Sequence, residues 1–486
     1  LDLILVGVAF NGGLMLKHAF YLCHPHDAAH GAAEHHRSMF ERVETHSHPT
    51  CVGLGMGVLH VLAFGVPILG AWLKETMFRA RFEAHNLVAR SLEVMCYLLM
   101  IIGASCEEDV TILQEDRTFW QMFTTCMLVI DLTWVGRYMQ VAYWHPDPVA
   151  RLAGKQRLFL LSPGTLLFLL AYFLGNYPDQ GDAFLAAVLG NHAKSEHTHL
   201  FYVPISLILG ANTPIIAEMF AYMATKYKPA LPMNTAFVLH RCTEIFMVLL
   251  GESVLQLITS EMPTKDNYPG MSFEQEQAIH EKFSGMQIAG FILTLTVMHS
   301  FTIQEPEEHD KHVLAVTGGA KGTFWLLVFI FKSLAVWLVG IGIKIALYDP
   351  MAQGDAFFSH DQRLQLGSAC ALCFFFSGIM LPLHKETICT HFVEIFGNPV
   401  SAIGFIAWIG NVVMMYRATY WELAPYEYMW VQAALGVVHM IISHLELLWI
   451  PHFLAQKQEK AREARKAAAA VRKAEAERAA GIQTLA

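Results

Sequence analysis

The sequence predicts an all-α protein: a polytopic transmembrane bundle of about 12 helices followed by a charged C-terminal helix. Three observations point there. Of the 486 residues, 54% are hydrophobic and only 15% are charged, against roughly 25% charge in a soluble domain. Mean hydropathy is +0.38. The apolar residues also gather into runs of about 20, the length a helix needs to cross a bilayer core. The same figures exclude other classes. A chain more than half apolar is not disordered. With 33 Lys+Arg against 42 Asp+Glu, a formal charge of −9, no basic body is left to neutralise nucleic-acid phosphates. The cysteines are scattered, mostly within apolar runs, and form neither a disulfide framework nor a paired zinc motif.

In chain order, spans are expected at 2–22, 50–73, 88–105, 119–143, 158–175, 200–224, 236–259, 285–304, 322–348, 366–382, 400–420 and 428–450. The first run lacks a basic leading region and reads as a retained helix rather than a signal peptide. Basic residues then sort the connections into two sides. The even loops carry eleven (Lys74, Arg79, Arg81, Arg151, Lys155, Arg157, Lys226, Lys228, Lys311, Lys321 and Lys385), whereas the odd loops, longer in total, carry seven. Both termini are therefore expected on the cytoplasm-equivalent side. The tail from Gln456 to Arg478 is rich in Ala, Glu, Lys and Arg, and reads as a solvated helix. It could also hold a protein partner, or lie on anionic headgroups next to the last span.

Charge at membrane depth needs a buried partner or a wet path, so each such residue is a functional candidate. The seventh span is the densest. At 100° per residue, with Arg241 at zero, Glu244 falls at about −60°, Glu252 at about +20° and Gln256 at about +60°. One stripe thus holds four polar groups on an otherwise apolar helix, flanked by His240 and Ser253. Arg241 and Glu244 can neutralise each other at i and i+3. Glu252, about two turns deeper, has no sequence-local cation and is the candidate titratable group. Gly251 beside it is expected to permit close backbone approach.

The run His240-Arg241-Cys242-Thr243-Glu244-Ile245-Phe246, followed by Leu249-Leu250-Gly251-Glu252-Ser253, resembles the signature of the low temperature requirement A family. Leu1-Asp2-Leu3, the stretch from Ala71-Trp72-Leu73 to Arg81-Phe82-Glu83, and Arg90 with Glu93 are similar to further motifs of that family. The chain departs from the pattern in placing Cys242-Thr243 between Arg241 and Glu244. The resemblance covers about the first 350 residues and implies a family-like transmembrane domain over 1–350; the chain departs from the family again in continuing with additional helices expected over 351–450 and a soluble helical tail over 451–486. It implies membrane class and fold; the family is known for a growth phenotype, which carries no biochemical activity to this chain.

Other spans repeat the theme. Asp2 and Lys17 share one side of the first, Asp131 and Arg137 lie in the fourth, and Glu218 lies in the sixth. There Asn212-Thr213-Pro214 predicts a kink or partly unwound segment. Lys332 and Lys344 lie in the ninth, where Lys332 is an expected counter-ion for Glu252, Asp131 or Glu218. Trp325, Trp337, Trp408, Trp421, Trp430 and Trp449 read as interfacial anchors.

Histidines gather in the first loop, where His24, His26, His46 and His48, with Asp27, Glu34, Glu41 and Glu44 nearby, have the donor chemistry for a divalent metal. The same loop also reads as a polar, pH-responsive connection. Within the spans, His60, His299, His384, His391, His439 and His444 carry haem-ligating chemistry without an attachment motif. Cys370 and Cys373 form a lone CxxC in an apolar run and read as packing. No P-loop, GxSxG or HExxH occurs. The reading that follows is a membrane protein, in contact with lipid, that moves a small ion, proton or polar solute. Glu252 is central to it, and Arg241, Glu244, His240, Ser253, Gln256, Asp131, Glu218, Lys332 and Asp2 form its charged interior. The readings from other classes are a non-transporting subunit or scaffold, docking a second copy or a partner through its tail, and a histidine-liganded metal or haem redox protein.

Overall fold

The computed structural model describes residues 54–82, 87–105, 117–189, 198–225, 231, 233–260, 272–302, 312–316, 319–352, 360–383 and 399–445. These form thirteen α-helices and a short 3₁₀ turn, with no strand among the described residues: α1 Leu54–Arg79, α2 Leu87–Ser105, α3 Arg117–Trp144, α4 Pro148–Asn176, α5 Pro178–Leu189, α6 Thr198–Thr225, α7 Thr235–Thr259, α8 Phe273–Thr302, α9 Val313–Val316, α10 Ala320–Ala352, α11 His360–Leu383, α12 Pro399–Arg417 and α13 Pro425–Leu445.

Among the described residues nine helices are long and apolar enough to cross a bilayer, so the chain is a multi-pass membrane protein. Eleven of the twelve expected spans fall on helices, and the first, 2–22, lies outside the described residues. Two of the eleven, α2 and α3, are not among the nine: α2 carries Arg90 and Glu93, and α3 carries Asp131 and Arg137. The expected tail, Asp2, and His24, His26, His46 and His48 also lie outside the described residues.

Local sequence sets the helix starts. Pro148 opens α4 behind Asp147, whose carboxylate accepts from the Val149 and Ala150 amides. Asn234 caps α7 through the Phe237 amide at 3.1 Å. The α6 helix runs unbroken through Pro204 and Pro214, so the unwound segment expected at Asn212-Thr213-Pro214 does not form. Just before Pro214, Asn212 donates to the Ile208 carbonyl at 3.0 Å and Thr213 to that of Leu209 at 2.6 Å, so both polar side chains are satisfied within the helix, one turn back.

Two helices form the interior. The apolar windows of α10 and α1 are 89% and 83% buried, whereas that of α12 is 28% buried. Around them α4 packs between α3 and α6, and α10 between α6, α7 and α11. Small residues set the closest approach: a Cβ on Gly164 would stand 2.7 Å from the Gly210 carbonyl oxygen, which fixes α4 against α6. Trp325 and Trp337 are buried, not interfacial. Trp325 stacks on Phe329, and Trp337 lies against Gly65. Trp421 is exposed at 41%. Cys370 and Cys373 are buried free thiols that pack in the core. Phe159, Leu166, Ile258, Ile403 and Ile406 stand exposed and give the bundle an apolar outer surface suited to lipid.

Candidate functional site

Polar side chains occupy three levels along the inner helices. The order follows from contacts: Asn234 at the start of α7 donates to the Ala80 carbonyl just past α1, and further along Ser253 of α7 meets Gly340 of α10. Phe246 and Ser253 of α7 meet Lys332 and Gly340 of α10 in the same order, so these two helices run in parallel, whereas Gly65 and Leu73 of α1 lie near Trp337 and Leu326 of α10 in the opposite order, so α1 is antiparallel to both.

At the first level, helices α1, α2 and α7 each contribute to a charged ring. Glu75 accepts from the Tyr97 hydroxyl at 2.7 Å and from Arg79 at 3.0 Å. Glu93 accepts from Tyr97 at 2.9 Å, from Arg90 at 3.1 Å and from Arg79. Arg241 pairs with Glu244 at 2.6 Å, and His240 lies 3.1 Å from the other Glu244 oxygen. Arg137 of α3 lies over the rings of Phe78 and Trp134.

Beside this ring, helices α1, α3, α4, α6 and α10 surround a cavity of about 40 Å³, room for roughly three waters. Two buried ion pairs border it. Arg157 forks onto both oxygens of Glu218 at 2.7 and 2.6 Å. Lys74 donates to one oxygen of Asp131, while the Thr165 hydroxyl donates to the other at 2.6 Å. Asp131 and Glu218 thus have Lys74 and Arg157 as counter-ions, not Lys332. Next to them, burial, then the like charge of Arg157, lowers the Arg81 guanidinium to about 10, which leaves it charged at neutral pH.

The middle level belongs to Lys332. It is fully buried beside Phe246 and Phe301, whose rings stack on each other at 4.0 Å, with the Ser300 carbonyl 3.5 Å from its ammonium. His439 lies nearby against Phe374, and the rings of His299 and His444 stand 4.6 Å apart. That separation leaves no room for a porphyrin plane between the two imidazoles. Among the described residues no group of three or more His, Cys, Asp or Glu is placed to hold a metal.

Glu252 lies at the third level, roughly 16 Å along α7 from Arg241. It is 2% exposed, as are Ser253 and Gln256. Gln256 donates to one of its oxygens, and the other is buried without a hydrogen bond among the described residues. Lys344 of α10 acts on it through its charge. The close approach here comes from α10: a Cβ on Gly340 would stand 2.6 Å from the Ser253 hydroxyl. Gly251, expected to play that part, is exposed, with open space where its Cβ would be.

The stripe read from the sequence is thus split by depth: Arg241 and Glu244 belong to the charged ring, and Glu252 and Gln256 to a separate buried site. Sequence reasoning missed Lys74 and Arg157 as site residues, because they fall among the basic residues of the connections. Their helices run past them, to Arg79 and from Pro148. No family model matches the chain, and no curated protein or solved structure matches it.

Proposed function

We propose that this multi-pass membrane protein moves a proton, small ion or polar solute through its charged interior, with Glu252 as the group that changes protonation. The observation that supports this reading is the state of Glu252: a buried carboxylate held by an amide, with one oxygen unbonded among the described residues and a lysine on the facing helix. Such a group can exchange a proton at membrane depth, where a carboxylate locked to arginine cannot. Kinship with the low temperature requirement A family, drawn from Leu250-Gly251-Glu252-Ser253 and its flanks, is part of the same proposal.

Full-length protein reconstituted in liposomes with a pH-sensitive dye tests it. Glu252→Gln keeps the shape and the hydrogen bond to Gln256, so the variant should fold with an unchanged melting temperature and lose flux by about tenfold or more. Parent-like flux in a folded variant would sink the assignment of Glu252. A second reading, a non-transporting scaffold, is supported by the ion pairs that tie α1 to α2 and α4 to α6. It expects no flux from the parent protein either.

A further inference from the structure

The cavity between α1, α3, α4, α6 and α10 has a chemistry that the proton reading does not use. Its acceptors are occupied. Both oxygens of Glu218 take hydrogen bonds from Arg157, and the two oxygens of Asp131 take one each from Lys74 and Thr165. Its donors are not. The Lys74 ammonium has three N–H groups and, among the described residues, makes one hydrogen bond, to Asp131. The Tyr138 side chain lines the cavity at 2% exposure and brings a hydroxyl donor to it. The Arg81 Nε–H, beside Arg157 and Glu218, is buried without a hydrogen-bond partner among the described residues, and the guanidinium otherwise donates to the Met77 carbonyl.

The charge count points the same way. Among the described residues three cations, Lys74, Arg81 and Arg157, gather around two carboxylates, Asp131 and Glu218. Within this group one positive charge is in excess, that of Arg81, which lies half-buried just past the end of α1 with its Nε–H buried. The remaining lining, including Leu73, Leu161, Pro214 and Leu326, is apolar and sets the size at about 40 Å³. Surplus donors, saturated acceptors, one surplus positive charge and a small volume together describe a receptor for a small monovalent anion.

We infer that this cavity is a binding site for a free monovalent anion of halide size, held by Lys74 and Tyr138 with Arg81 supplying the balancing charge. The site is separate from Glu252, roughly 25 Å along α10 from it, and does not depend on the proton reading.

Chloride is the probe. The melting temperature of the purified full chain in detergent should rise saturably with sodium chloride and stay flat in sodium gluconate of equal ionic strength, because gluconate exceeds the cavity. Tyr138→Phe removes one hydroxyl, and should raise the chloride concentration for half the effect by about tenfold. Arg81→Gln should abolish the effect, and Arg81→Lys should retain it. Bromide-soaked crystals of the unaltered protein should show an anomalous peak beside Lys74 and Tyr138. Equal responses to the two salts, parent-like chloride dependence in both Tyr138→Phe and Arg81→Gln, or no bromide peak there would each overturn the assignment. So would stabilisation by anionic phospholipid and not by chloride, which would place a lipid headgroup in the cavity instead.

Discussion

Two buried regions of this bundle treat their carboxylates in opposite ways. Where α1, α3, α4 and α6 meet, Asp131 and Glu218 each hold a cation in direct contact, and all their oxygens accept hydrogen bonds. Where α7 meets α10, Glu252 is equally buried but is held by an amide, with Lys344 acting through its field. Burial alone therefore does not mark a working acid. A carboxylate locked to arginine keeps its charge and stiffens the helices it joins; one left with a neutral partner retains the freedom to gain and lose a proton.

The sharpest way to break this contrast is to unpair Glu218. Arg157→Met should leave a carboxylate buried without its bidentate partner and cost about 3–5 kcal/mol, read as denaturation of the detergent-solubilised protein. Replacing both partners, Arg157→Met with Glu218→Leu, should recover most of that loss, since the buried charge is gone. A single variant close to the parent would mean that the pair is not a structural lock, and the distinction from Glu252 would fail.

The helical architecture was legible in the sequence because apolar runs of membrane length survive any arrangement of neighbours. Boundaries were less so, for one physical reason. The expected spans 50–73 and 158–175 leave Lys74 and Arg157 in the connections, yet both side chains lie within helices and are neutralised by acids far along the chain, on α3 and α6. This also removes Lys74 and Arg157 from the loops whose basic residues set the expected orientation. The site was legible where it lies on one helix: helical geometry put Glu252 and Gln256 on a common face, and both are buried. What periodicity cannot supply is the partner across a helix contact, which is why Thr165 and Tyr97, and Gly340 as the residue of close approach, emerge only from the fold.

A smaller effect sharpens the contrast from the other side. Gly340→Ala would set a methyl group 2.6 Å from the Ser253 hydroxyl and 3.3 Å from its Cα, so α7 and α10 must part beside Glu252. The expected cost is about 1–3 kcal/mol, with flux reduced as Lys344 moves away from the carboxyl. Ser253→Gly in the same chain should restore both by returning the space. Restored stability without restored flux would show that the serine hydroxyl itself serves the site.

The smallest change is expected at the rim. His240 is 71% exposed and lies 3.1 Å from Glu244, which Arg241 already holds at 2.6 Å and which is itself 35% exposed. In such surroundings a polar contact is screened by water and salt, and a second partner on a carboxylate adds little to the first. His240→Ala should therefore change stability by no more than about 0.5 kcal/mol and leave proton flux intact. A larger loss, above about 1 kcal/mol, would tie the outer ring to the buried pairs as one cooperative network, and Glu252 would then be the lone exception in an otherwise continuous system of fixed charge.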